Sequence, residues 1–185
     1  DRLQVVTFAG DATRLFPSYL PSTPDNVEQA LKLTREMRGG GGTEMMQGIR
    51  AVLADPVDED RVRIVVMLTD GYIGNEDEII GEVGRRAGDQ IRFWTVGIGS
   101  SPNRHLLDGV ARQGSGASGV LGLTDDPGAL VGSIMVRIQR AQLSRLRLGW
   151  GGLDVFETYP ARLGELWAGK PVFLLGRYRG EGAAQ

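Results

Sequence analysis

The chain has 185 residues and a mass of 20.0 kDa, with 41% hydrophobic and 24% charged residues; this suits one globular domain, or one domain and part of a second, and excludes a disordered chain, a repeat array or a large two-domain enzyme. Its 23 acidic and 21 basic residues leave a formal charge of -2, too little for an electrostatic footprint toward nucleic acid or an anionic membrane, so any partner must be recognised at a local site. With no cysteine and one histidine, His105, disulfide frameworks, thiol nucleophiles, thiolate metal sites and poly-histidine cages are excluded, which leaves a hard cation held by oxygen ligands as the open metal chemistry.

Leu3 to Phe8 (LQVVTF) is β-branched and ends in Ala9-Gly10-Asp11, which predicts a strand and a turn. The three prolines between Arg14 and Pro24 predict extended or looped chain. Thr23 or Asp25 then caps a helix with apolar positions at Val27, Ala30, Leu31 and Met37, stopped by Gly39 to Gly42. A second helix is expected from about Thr43 to Ala54. Arg63 to Leu68 (RIVVML) is continuously apolar after its first residue, the pattern of a strand buried on both faces of a parallel sheet, and it runs into Thr69-Asp70-Gly71. Downstream, a helix is expected over Asn75 to Ala87, a strand over Ile91 to Val96 and a helix over Asn103 to Arg112. A short strand over Val120 to Leu123 and a helix over Asp125 to Gln139 follow.

That alternation of strands and helices implies an α/β fold, an open doubly wound and mostly parallel sheet with helical crossovers. Beyond about Arg140 the pattern changes. Leu143 to Leu148, Leu153 to Tyr159 and Val172 to Tyr178 alternate between glycines and prolines, as antiparallel strands do. A boundary is therefore placed near residue 140, with 1–140 as the α/β domain and 141–185 as the start of a β-rich C-terminal region. No run of about 18 apolar residues occurs, and Asp1-Arg2-Leu3-Gln4 is no signal peptide, so a piece of a longer chain would have this appearance.

In open α/β sheets, ligands bind beyond the carboxyl ends of the strands. Asp70 closes the most apolar strand, where a carboxylate is costly unless it is paired, hydrogen-bonded or bound to a cation; the alternative is that Asp70-Gly71 simply turns the chain. Thr43 follows four glycines and starts a helix, which fits an ordinary N-cap and equally fits a hydroxyl ligand beside a backbone that a bound ion can approach. GGGGTEMM lacks the lysine of a phosphate loop and does not follow a strand. Gly97-Ile98-Gly99 begins like a dinucleotide fingerprint, but Pro102 stands where its third glycine belongs. There is no G-x-S-x-G elbow and no evident base and nucleophile pair, so hydrolysis has little support and no catalytic residue is assigned. His105 reads as a polar residue near a helix start. The basic group Arg137, Arg140, Arg145 and Arg147 and the acidic group Asp55, Asp58, Glu59 and Asp60 read as solvated faces.

Gly40-Gly41-Gly42-Thr43, the strand end Ile64 to Gly71 and Phe93-Trp94-Thr95-Val96-Gly97-Ile98-Gly99 together resemble a von Willebrand factor type A domain. His105-Leu106-Leu107, and Tyr159-Pro160 through Leu166-Trp167-Ala168-Gly169 to Gly176-Arg177-Tyr178, resemble the inter-alpha-trypsin inhibitor heavy-chain branch of that family. The resemblance implies a Rossmann-like fold and a metal-ion-dependent adhesion site made from a D-x-S-x-S loop, a threonine and an aspartate. Thr43 and Asp70 match the last two; no D-x-S-x-S occurs in the chain, and the family's first strand and first helix are expected upstream of Asp1. Mg²⁺ prefers six oxygen ligands, so such a site leaves a position for a partner's acidic side chain, while two protein ligands alone are expected to hold the ion weakly or not at all. The function implied is a non-enzymatic, cation-dependent adhesion module of a bacterial secreted, surface-anchored or periplasmic protein. The alternative is a metal-independent structural or scaffolding domain. A strand or a second chain is further expected beside Ile64 to Leu68, which would make strand-mediated homo-oligomers.

Overall fold

A computed structural model describes residues 1–40, 42, 44–58, 60–71, 73–139, 146–159 and 172–180, and the chain divides into the units Asp1–Leu123 and Thr124–Gln185. The first unit opens with two short antiparallel pairs: β1 (Arg2–Leu3) with β4 (Leu20–Pro21), and β2 (Val6–Phe8) with β3 (Ala12–Arg14). The single strand expected from Leu3 to Phe8 is thus broken in the middle. The cause is the Gln4 side chain: its Oε1 accepts from Val5 N at 3.0 Å and Phe16 N at 3.2 Å, while its Nε2 donates to Phe16 O at 2.8 Å. A side-chain amide there occupies the backbone groups that a ladder would use.

Helix α1 (Pro24–Glu36) is capped by Thr23, whose hydroxyl accepts from Asn26 N at 3.3 Å, with Pro24 in the first turn. Helix α2 (Met45–Ala54) begins two residues later than the spacing predicts. Its C-terminal carbonyls are served by arginines: Arg63 donates to Val52 O, Asp55 O and Pro56 O, and Arg14 donates to Ala51 O and to the Asp55 carboxylate. Gly48 on α2 lies against Phe8, where an added Cβ would stand 3.0 Å from the ring.

The remaining elements of this unit are β5 (Arg63–Thr69), α3 (Glu76–Arg86), β6 (Ile91–Ile98), α4 (Arg104–Gln113) and β7 (Ser118–Leu121). The three strands form one parallel sheet in the order β5-β6-β7, with Val65 opposite Phe93, Thr69 opposite Gly97 and Gly97 opposite Val120. One face of β5 and β6 packs beneath α2, α3 and α4 in a core that includes Met45, Ile49, Met67, Ile79, Phe93 and Leu107. The Thr95 hydroxyl, fully buried, donates to Leu107 O at 2.9 Å and so ties β6 to α4.

β5 is not the doubly buried strand that its apolar run predicts. Ile64, Val66 and Leu68 on its second face are 42%, 48% and 55% exposed, whereas β6 is buried from Ile91 through Gly97. Among the described residues β5 has no ladder partner on the side away from β6, so it is an edge strand with one covered face.

In the second unit, the Asp126 carboxylate accepts from Gly128 N and Ala129 N and caps α5 (Pro127–Gln139). β8 (Asp154–Tyr159) and β9 (Leu175–Arg179) are antiparallel, as the alternation predicts, and the Arg179 guanidinium lies 4.7 Å from the centre of the Phe156 ring. The boundary placed near residue 140 lies outside the described residues, as does the first half of the expected strand Leu143 to Leu148; its described part, Leu146 to Leu148, is not a strand.

Glu82 of α3 joins two helices electrostatically. It is 8% exposed, accepts from Arg85 at 2.8 Å and Arg86 at 3.2 Å, and lies 3.6 Å from Arg50 of α2. The hydrogen bonds from Arg85 and Arg86 hold its carboxyl below the usual carboxylate range despite partial desolvation. A lowered folded value means that this contribution is complete above the ordinary carboxyl pKa and is lost as pH falls through the folded one. Urea denaturation of Glu82→Gln is expected to show lower stability than wild type at pH 7, with the difference closing below about pH 4.

Candidate functional site

Because β5 and β6 are parallel, both deliver their following loops to the same end of the sheet. Asp70 is the first residue beyond β5. Its predecessor Thr69 is 8% exposed and uses its hydroxyl to accept from Gly71 N at 3.3 Å, which fixes the start of the turn. The Asp70 carboxylate is exposed and makes no hydrogen bond or ion pair among the described residues.

Helix α2 runs against β5. Arg63, the first residue of β5, bonds carbonyls at the C-terminal end of the helix, so the helix start at Met45 is carried toward the Asp70 end of the strand, and Met45 and Met67 share one core cluster. Over its ten residues the helix spans about 15 Å. Glu44, just before it, donates its backbone N–H to Ala9 O at 2.8 Å, joining the helix start to the β2–β3 turn. Thr43 lies outside the described residues.

At the same end, Asn103 caps α4 by accepting from Leu106 N at 3.1 Å and donates to Glu76 Oε1 at 2.7 Å. The exposed pair His105 Nε2 and Asp77 Oδ1, 3.0 Å apart, flanks it. The sequence marks Asn103 only as a helix start; its bond to Glu76, 27 residues away, has no local signature. In Gly97-Ile98-Gly99 the first glycine is required by packing and the second by backbone conformation. A Cβ on Gly97 would stand 2.4 Å from Pro102 Cβ and 2.5 Å from Leu107 Cδ1, and Gly99 has φ +103°.

A second feature lies along the strand. A cleft of about 300 Å³ beside the edge of β5 that is unpaired among the described residues is lined by Val5, Val6 and Phe8, by Ile64 to Leu68 and by Met45 and Ile49 of α2. Tyr19 closes one part of it, with Arg63 5.2 Å above its ring. Burial pushes the Tyr19 hydroxyl above its ordinary pKa, against the opposing pull of Arg63.

A family model described as the von Willebrand factor type A domain matches residues 1–120. The chain belongs to this family. A von Willebrand factor A domain-containing protein of Dictyostelium discoideum is 27% identical over 167 residues, covering 90% of this chain and 18% of that protein. The inter-alpha-trypsin inhibitor heavy chain H3 of Bos taurus is 28% identical over 128 residues, covering 63% of this chain and 14% of that protein. The chain thus spans less than a fifth of these relatives. Among solved structures, proximal thread matrix protein 1 from the mussel byssus, with a zinc-occupied MIDAS motif, superposes with a TM-score of 0.56 at 20% identity, over 74% of this chain and 35% of that one. At that identity the likeness concerns the fold.

For a von Willebrand factor type A domain the donor chemistry is consistent with a hard cation: an exposed carboxylate at the strand end, no cysteine, and a lone histidine engaged by Asp77. Among the described residues, no group of three or more Asp, Glu or His could hold a metal ion by itself. Among the described residues Asp70 is exposed and makes no hydrogen bond or ion pair, so Asp70→Ala is expected to change unfolding free energy by less than about 0.5 kcal/mol in urea titrations.

Proposed function

We propose that this chain forms most of a protein-binding module that, in the complete protein, grips an acidic side chain of its ligand through a divalent cation. The observation that carries the reading is Asp70: an exposed carboxylate just past β5, without a bond among the described residues, at the end of the sheet toward which α2 begins. Thr43, one residue before Glu44, would add a hydroxyl, and the remaining oxygen ligands would come from a D-x-S-x-S loop elsewhere in the protein. Mg²⁺ is the natural occupant of such an oxygen set; it retains waters, and one of them can yield to a partner carboxylate. Binding of this kind involves no turnover. Family membership supports an interaction role, and the zinc-bearing MIDAS motif of the byssus protein supports divalent-cation binding within this fold. A secreted or surface-anchored location, likewise proposed, rests on the family resemblance and requires no spanning helix in this part of the protein; among the described residues, no helix is long and apolar enough to cross a membrane. In calorimetry on the full-length protein, Mg²⁺ or Mn²⁺ binding is expected to weaken at least about tenfold in Asp70→Ala and in Thr43→Ala. Affinity unchanged by either substitution would favour the metal-independent scaffold, in which Asp70 only turns the chain.

The cleft favours an additional mode of association. Edge strands with unpaired backbone groups accept further strands, and the seven-residue strand Arg63–Thr69, paired with β6 on one side, turns the backbone groups of alternate residues toward its other edge, beside an apolar gap. We infer that the 185-residue chain self-associates through this edge. Sedimentation velocity is expected to show a concentration-dependent dimer that Val66→Lys abolishes; a monomer at millimolar concentration would remove this mode.

A further inference from the structure

Asn103 serves two loops at once. It is 8% exposed and precedes α4; its Oδ1 accepts from Leu106 N, and its Nδ2 donates to Glu76 Oε1 at 2.7 Å. Capping α4 requires only the acceptor, which Asp would supply equally well. The amide donor is the extra feature, and it is directed at a carboxylate, which makes a charge-assisted bond in a partly buried position. Glu76 is the first residue of α3, six residues after Asp70. Between them the chain is held at Gly71 by the Thr69 hydroxyl and at Ile73 by packing against the core. The far end of the Asp70 loop is therefore attached to α4 through Asn103, and α4 is attached to β6 through Thr95.

We propose that the Asn103–Glu76 pair is a latch that positions the loop carrying Asp70 and couples that loop to the N-terminus of α4. Loading of Asp70 by a cation and its partner then alters the order of α4's first turn, and release of the latch lowers cation affinity. The coupling to cation rests on the proposed function of Asp70; the latch itself does not.

Asn103→Asp keeps the cap acceptor, removes the donor and sets a carboxylate against Glu76. Glu76→Ala removes the acceptor from the other side and leaves the α4 cap untouched. Glu76→Gln keeps an acceptor oxygen and serves as the rescue control. In amide hydrogen exchange, Asn103→Asp and Glu76→Ala are each expected to speed exchange at Gly71 and Ile73 about tenfold while the core amides of Phe93 and Val110 stay as in wild type, with Glu76→Gln close to wild type. In the full-length protein, Mn²⁺ affinity is expected to fall in the first two variants and to be retained in the third. Unchanged loop exchange in Glu76→Ala overturns the latch, and so does a uniform acceleration that includes the core. Faster loop exchange in a protein that binds no Mn²⁺ even as wild type upholds the latch and overturns the cation reading.

Discussion

Burial of β6 on both faces is the constraint from which the first unit follows. Seven consecutive residues, Ile91 to Gly97, are removed from water, and side chains the size of Phe93 and Val96 contribute about 1.5–3 kcal/mol each when so placed. The polar members of the run are not wasted: Thr95 bonds Leu107 O. With β6 pinned, the parallel ladders to β5 and β7 set the register of the sheet. That register brings the loop after β5 and the loop after β6 to one end. Glycine makes the tight side of this packing feasible: a Cβ on Gly116 would stand 2.0 Å from Phe93 O.

β5 has the opposite character. Its inner face is core, while Ile64, Val66 and Leu68 remain about half exposed beside an open edge. Covering them fully would gain roughly 1 kcal/mol each, and pairing seven residues of backbone would add ladder bonds. None of the usual protections of an edge, a lysine, a proline or a bulge, occurs within RIVVMLT. The surface thus has the properties of an interface, and the adjoining cleft gives it a defined boundary along β2.

The two candidate regions meet in the same elements. α2 lines the cleft with Met45 and Ile49, and its first turn leads back toward the Asp70 end of the sheet. A strand seated against β5 would therefore bear on the same helix whose start adjoins Thr43. The Asn103–Glu76 bond works from the other side, through α3 and α4. Asp70, at the end of β5, is exposed and without a protein partner among the described residues.

Much of this was readable from residue order because it depends on short-range chemistry. Helical spacing located α3 and α4 to within a residue or two; Thr23-Pro24 announced a capped helix; the apolar run Arg63 to Leu68 located the strand that leads into Asp70-Gly71. The family resemblance is what singles out Thr43 and Asp70 as proposed cation ligands; local chemistry alone left both open. Three features required the folded chain. Gln4 splits the first strand because Phe16 is folded back against it, Asn103 reaches Glu76 only when α3 and α4 are packed together, and β5 keeps an apolar face in solvent because no described element lies over it. Apolar composition states which surfaces gain by leaving water; which of them do so depends on segments distant in sequence, and only the tertiary structure supplies those.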